Sequence, residues 1–448
     1  MTQDSETLGL LEDLIGQALR AGASAADAVA VDSVSTAVSW RNGRLEDVEG
    51  SEGEDIGLRV FFGHRQAVAS TSDRRADSLN DLVERTVTMA KAVPEDPYCG
   101  LAPEERLFKA PLPELDLRDD TDISPETLKT LAARAEDAAR AVEGVTNAEG
   151  AGASAGRGRV SLVTSHGVAA TYGGTSFSVS VAAVAGSGTG MERDYDMSSA
   201  RFLADLEDAA HVGTRAGERA VRRLNPTKPE SAAMPVVFDP RAAATLLGHF
   251  AGAISGASVA RGTSFLKDRM GETVFAPGVT IIDDPLRKRG LRSRPIDGEG
   301  VGVRTTRLID DGVLTGWLLN SATARQLGLE VTGHATRGTG GPPGAGTSNL
   351  YMAAGPQSPE ALIGDIADGF YVTELIGMGV NPVTGDYSRG AAGFRILQGE
   401  LAGAVSEVTI AGTLQAMFRE MTPASDLEFR TSINAPTVRV DGMTVAGA

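Results

Sequence analysis

The sequence predicts an α+β protein: an N-terminal α/β region of antiparallel strands and helices, followed by a mostly antiparallel β C-terminal domain with Gly-rich hairpins. Three observations carry this reading. A helix–strands–helix texture occurs twice in the first half. Asn-Gly, Gly-His and Asp-Gly pairs stand between alternating apolar runs, where hairpin turns are wanted. Glycine is abundant, 54 of 448 residues, without a collagen period. Length favours more than one core, and shifts in composition divide the chain into 1–118, 119–230 and 231–448.

Each element has its own signal. Residues 6–20 carry leucine, isoleucine and alanine at helical spacing, with Ser5 as a candidate N-cap and Gly22 as a candidate stop. From residue 27 to 69, ADAVAVD, STAVSWRNG and IGLRVFFG are short strands separated by turns, and 75–92 return to helical period. The stretch 94–120, rich in proline and charge, is a linker or an extended crossover. Ser124-Pro125-Glu126 opens a helix, since proline suits a first turn whose N–H groups lack partners anyway. Residues 145–184 alternate as strands, with turns expected at Ser165-His166-Gly167 and Gly173-Gly174. Residues 202–224 are helical, and NPTKPE at 225–230 marks the second boundary. Beyond it come a strand, MPVVFD, a helix over 240–254, and hairpins, of which RLIDDGVLTGWLL with Asp311-Gly312 at its turn is the clearest.

The formal net charge of −17 argues against non-specific binding to nucleic acid or an anionic membrane. The one dense basic patch is Arg287-Lys288-Arg289 with Arg292 and Arg294. A single cysteine, Cys99, makes no internal disulfide and no Cys-rich zinc site. The acidic start lacks a basic n-region with an apolar core, and no apolar stretch approaches the ~20 residues that span a bilayer. A cytoplasmic soluble protein is the expectation.

Candidate chemistry is sparse. The five histidines are His64, His166, His211, His249 and His334; none is followed by glutamate, and no two are spaced as ligands on one helix. His249 lies mid-helix in TLLGHFAGAISG with no strong ligand one turn away, and reads first as a packed residue. GASAG at 152–156 matches a nucleophile elbow in letters only, because a β-rich stretch follows where a helix is needed. RGTGGPPGAGTSN at 337–349 has no lysine before its Thr-Ser and two prolines without N–H donors; a flexible loop over a groove fits it better than a phosphate cradle. VTGDYSRGAAGF at 383–394 reads as a glycine-rich entry to a hairpin, with Asp386 and Arg389 satisfying each other or the turn backbone.

GVNPVTGDYSRGAAGF followed by GELAGAVSEVTIAG closely resembles the C-terminal signature of the TldD/PmbA family, also called modulators of DNA gyrase. RGTSFLKDRMGE, TIIDDPL, DDGVLTGWLLNSATARQLG, TSNLYMAAG and the N-terminal SWRNGRLEDVEGSEGEDIGLRVFFG agree with it, so the resemblance covers nearly the whole chain. It implies a cytoplasmic metalloprotease complex of two homologous subunits acting on peptides and unfolded segments. TldD-type chains carry H-E-x-x-x-H on the helix before the block that here reads RGTSFL, and a later cysteine. Here that helix reads ATLLGHFAGAISGASVA, and no cysteine follows Cys99.

The chain therefore resembles the TldE type. The resemblance implies no catalytic or metal residue in this chain, zinc in a TldD-type partner, and a heterodimer, with a homodimer as the alternative when the chain is alone. Asp386, Tyr387, Ser388, Arg389 and His249 are the candidate contacts to substrate or partner. Two other readings stay open: a self-sufficient hydrolase with unrecognised ligands, and a gyrase or toxin–antitoxin modulator acting by protein binding without direct contact to nucleic acid.

Overall fold

The computed structural model describes residues 3–447. The first half is built from α1 (Gln3–Arg20), β1 (Ala25–Arg41), β2 (Arg44–Phe62), β3 (Arg65–Thr71), α2 (Ala76–Ala92), α3 (Pro125–Ala141), β4 (Val145–Thr164), β5 (Ala169–Ala185), β6 (Glu192–Ala200) and α4 (Ala209–Arg222). All six strands lie in one antiparallel sheet, in the order β3-β2-β1-β4-β5-β6. Segments 1–118 and 119–230 thus share a sheet through the β1–β4 pairing, which runs from Asp27↔Thr164 to Trp40↔Ala151.

Alternation along the strands decides what each face meets. Ala26, Ala28, Ala30, Ile56, Leu58 and Val60 pack under α1 and α2. Val38, Ala151, Ala153, Val179 and Val181 pack under α3 and α4. Val29, Leu162, Val168 and Ala170 face the other way and join the core of the C-terminal domain. The β1–β2 turn at Asn42-Gly43 has both residues at positive φ, and its two N–H groups donate to the carboxylate of Glu136 on α3 at 2.6 and 2.7 Å. Burial of that acid is offset by these charge-assisted bonds.

The C-terminal domain contains β7 (Ala232–Phe238), α5 (Pro240–Ala253), α6 (Gly256–Ala260), β8 (Ile281–Asp283), β9 (Thr306–Asp310), β10 (Val313–Leu314), α7 (Ser321–Leu327), β11 (Ala335–Thr336), β12 (Gly344–Ala345), β13 (Leu350–Met352), α8 (Pro359–Ile363), β14 (Asp368–Ile376), β15 (Asp386–Leu397), β16 (Glu400–Thr413), α9 (Leu414–Arg419), β17 (Met421–Pro423), β18 (Ile433–Asn434) and β19 (Val438–Ala446). One sheet runs β16-β15-β14-β7-β19-β17, and β16 also pairs with β19 from Thr409↔Ala446 to Ala411↔Thr444, so five strands close into a barrel-like ring. A smaller sheet runs β10-β9-β8-β13-β18. Phe250 of α5 meets the Phe275 ring edge-on at 5.3 Å, and Phe275 stacks on Phe418 at 4.2 Å. Two nearly buried carboxylates of β6 tie the halves together: Asp196 pairs with Arg215, Arg219 and Arg430, and Asp194 with Arg241. Among the described residues no helix is long and apolar enough to cross a membrane.

The α+β class, the Asn42-Gly43 and Asp311-Gly312 turns and the Ser124 cap all match the sequence reading. Several details differ. α1 begins at Gln3, so Ser5 lies inside the helix rather than capping it. Residues 202–224 contain an α-helix only from Ala209, after a single 3-10 turn over Leu203–Asp205. Gly173 and Gly174 sit mid-strand in β5, opposite Arg159 and Gly158. A Cβ at Gly173 would lie 2.5 Å from Gly158 O, and one at Gly174 2.9 Å from Leu117 O, so close backbone approach and not turn geometry requires glycine there. The 337–349 segment is anchored: Arg337 Nη1 reaches Asp27 Oδ1 at 2.6 Å, Asn320 Nδ2 donates to Pro343 O at 2.6 Å, and Ser348 N donates to Asp283 at 2.7 Å.

Candidate functional site

Helix α5 starts where β7 ends. Asp239 accepts from Arg241 N at 2.9 Å as N-cap, with Pro240 in the first turn. β7 lies parallel to β14, and β14 pairs antiparallel with β15. This topology delivers His249, mid-way along α5, to Tyr387 near the start of β15. The rings meet edge-on, with centroids 6.1 Å apart and planes at 81°. Residues 386–389 therefore belong to a strand and not to a turn. The turn precedes them, closed by Asn381 N to Asp386 O at 2.9 Å and Gly385 N to Asn381 O at 2.8 Å.

Strand alternation then sorts the candidate residues. Tyr387 points inward and is 1% exposed, while Asp386 and Ser388 point outward. Asp386 does not pair with Arg389, as a turn would have allowed; it accepts from Thr384 Oγ1 at 2.6 Å. Arg389 donates to Leu375 O at 3.3 Å and forms no ion pair among the described residues. The structure thus gathers His249, Tyr387 and Arg389, and leaves Asp386 and Ser388 on the opposite face.

The electrostatics of this trio are one-sided. Burial, and then the charge of Arg389, lower the pKa of His249, so its imidazole is neutral at neutral pH. Burial pushes the Tyr387 hydroxyl up to about 12 against the pull of Arg389. His249 Nε2 and Arg389 Nε are buried without a hydrogen-bond partner, and the buried Tyr387 hydroxyl has only the Arg389 guanidinium beside it. A catalytic zinc needs about three ligands from imidazole, thiolate or carboxylate. This set offers one imidazole beside a guanidinium that repels a dication, so the residues present do not fit the metal. Among the described residues no group of three or more His, Cys, Asp or Glu side chains stands placed for a metal ion.

Sequence reasoning missed a second buried centre. Asp27 of β1 is fully buried between Arg337 and Arg59, the latter donating from Nε to Oδ2 at 3.1 Å, with Glu299 at 3.9 Å from Arg59. Burial works to raise the Asp27 pKa, and the guanidiniums of Arg337 and Arg59 overcome it and hold the carboxyl below its usual range. Nearby, burial and the charge of Glu299 push Asp297 up to about 7, although it accepts from Glu299 N, Val301 N and Ala335 N. An acid inside the apolar run ADAVAVD was the available signal, since an unpaired charge is not tolerated on a buried strand face. His334 joins Asp283 at 3.4 Å and Thr332 Oγ1 at 2.8 Å. The basic patch is largely used internally: Arg289 pairs with Asp116 and Asp205, and Arg287 stacks on Phe429.

Comparison with known proteins places this architecture. Residues 231–447 match the model of the PmbA/TldA metallopeptidase C-terminal domain, 118–224 that of the central domain, and 26–90 that of domain 1. Metalloprotease PmbA of Escherichia coli O157:H7 is 37% identical over 444 residues, covering 98% of this chain and 96% of that protein. The chain belongs to the PmbA/TldD family. The Metalloprotease PmbA homolog of Haemophilus influenzae is 34% identical, covering 99% and 97%. Among solved structures, a candidate modulator of DNA gyrase from Bacteroides thetaiotaomicron superposes with a TM-score of 0.91 at 24% identity over the full length of both chains. TldE of Thermococcus kodakarensis superposes at 0.87 with 22% identity, covering 98% of this chain and 100% of that one. These two likenesses establish the PmbA/TldD fold.

Proposed function

We propose that this chain is the TldE-type, non-catalytic subunit of a PmbA/TldD metallopeptidase that acts on peptides and unfolded segments in the cytoplasm. A TldD-type homologue supplies the zinc and the chemistry. This chain supplies an interface and part of the groove, where an extended peptide is held by strand addition, a mode tolerant of sequence.

One observation carries the reading. α5, the helix on which TldD-type chains are expected to hold their metal, presents His249 to a tyrosine and an arginine, and among the described residues it belongs to no group of three or more metal-ligating side chains. Such a set can orient or bind an anion, but it cannot generate a metal-activated water. Two homologous subunits can meet about a pseudo-two-fold axis. An obligate interface of that kind buries more than ~2,000 Å² and is largely apolar. The glycine-rich C-terminal β region is the candidate surface, with weaker self-association when the partner is absent. Elemental analysis of the purified chain tests the assignment: zinc well below one per chain is expected, and about one tightly bound zinc per chain overturns it.

A further inference from the structure

A buried polar atom without a partner costs free energy, so each one asks for an explanation. Three buried polar groups converge here. His249 Nε2 and Arg389 Nε are buried and unpaired, and the hydroxyl of Tyr387, 1% exposed, has only the Arg389 guanidinium beside it. Arg389 is a cation without a carboxylate in a chain carrying 59 acids against 42 lysines and arginines. Some arginines packed between elements pair with an acid, as Arg223 does with Glu374 and Arg241 with Asp194, whereas Arg201 and Arg294, like Arg389, donate to backbone carbonyls. A guanidinium offers a fork of N–H donors, a phenol a further donor and a neutral imidazole one more. Together they match the oxygens of a carboxylate.

The surroundings allow a ligand to reach the trio. Arg389 is only half-buried, so solvent meets the trio on the side of its guanidinium. Residues 377–385 run alongside, held to β15 by the Val380–Tyr387 bridge and by Ser388 N to Gly379 O at 2.7 Å. Met378, 91% exposed, and Val383, 51% exposed, are the apolar side chains that this segment presents to solvent.

We infer that Arg389, Tyr387 and His249 form a carboxylate-binding site for peptides, with Arg389 as the charge partner and the other two as hydrogen-bonding walls. The inference rests on the peptide-binding reading above and adds the ligand group. The carboxylate comes either from the peptide's C-terminus or from an Asp or Glu side chain, and both present the same two oxygens.

The test uses the full chain with ¹⁵N-labelled histidine, whose five imidazoles are few enough to assign by His249→Gln. Three probes are titrated: acetyl-trialanine as the free acid, its C-terminal amide, and acetyl-Ala-Glu-Ala-amide. Expected is a shift of the His249 resonance with the acid at least tenfold tighter than with the trialanine amide. Arg389→Gln removes that preference, and Arg389→Lys keeps part of it. The glutamate peptide decides the source: binding like the acid assigns any carboxylate, and binding like the amide assigns the C-terminus. The other histidine resonances report that the variants fold. Equal binding of acid and trialanine amide overturns the carboxylate site while leaving peptide binding intact. No response of His249 to any probe also overturns it, leaving these buried polar atoms to water. Assembly with a TldD-type partner is measured separately, so neither outcome is confused with failure of the subunit reading.

Discussion

The ring of His249 stands edge-on to that of Tyr387 at 6.1 Å, joining the middle of α5 to the first residues of β15 across 138 positions of sequence. Burial, and then the charge of Arg389, keep this histidine neutral, and burial pushes the phenol beside it up to about 12.

Tyr387→Phe keeps this ring contact and removes a buried hydroxyl that has only the Arg389 guanidinium beside it and no acceptor for its proton. Leaving such a group unsatisfied costs about 1–3 kcal/mol. The variant is therefore expected to be as stable as the parent, or more stable by up to about 1 kcal/mol. Urea denaturation without added peptide checks this, and a loss above about 1 kcal/mol would mean that the hydroxyl is satisfied in the native state.

Arg337→Met strips Asp27 of one of its two guanidiniums while Asp27 remains fully buried. Breaking a buried pair from one side costs about 3–5 kcal/mol. Equilibrium unfolding should register that loss, and Asp27→Asn with Arg337→Met should recover part of it. A loss for the single variant below about 1 kcal/mol contradicts the assigned role of the pair.

Asp297 titrates near 7 in the folded chain, above the ordinary carboxyl value of 3.8. The raised value means that the folded state holds a proton which the unfolded state has released between these limits. Its contribution to stability is complete below about pH 4 and is lost as pH rises through 7, a change on the order of 4 kcal/mol. The stability difference between the parent and Asp297→Asn should therefore narrow, or reverse, between pH 4 and 7. A difference that is flat over this window refutes the assignment.

Gly213 of α4 lies against α3 so closely that a Cβ would fall 2.1 Å from Ala135 O. Neither helix backbone can yield that distance locally. Gly213→Ala should lower stability by about 1–3 kcal/mol through overpacking, although alanine is the better helix former. A neutral or stabilising result would show that the helices separate freely.

These tests fall on features that the sequence revealed unequally. Turns announced themselves because their chemistry is local: Asn42-Gly43, Asp311-Gly312 and Ser124-Pro125 each specify a backbone conformation within two or three residues. Gly173-Gly174 misled for the same reason, since glycine also serves close approach to a distant chain, and Leu117 is invisible to a local reading. Of the candidate site, residues 386–389 were found through the family signature, but the inward aim of Tyr387 depends on strand alternation that a turn reading concealed. The partner of His249 could not be read locally, because its nearest ring lies on another element. The Asp27–Arg337 centre likewise joins residues some 300 positions apart, and charge pairing carries no periodicity.

The central claim is that this chain contributes structure and binding while a homologue contributes the metal. Mixing it with a purified TldD-type homologue and measuring mass by light scattering, together with peptidase activity, tests that claim most directly. A heteromeric species is predicted, with activity that neither chain shows alone. No heteromeric species, together with a homologue that is as active alone as in the mixture, would contradict the account.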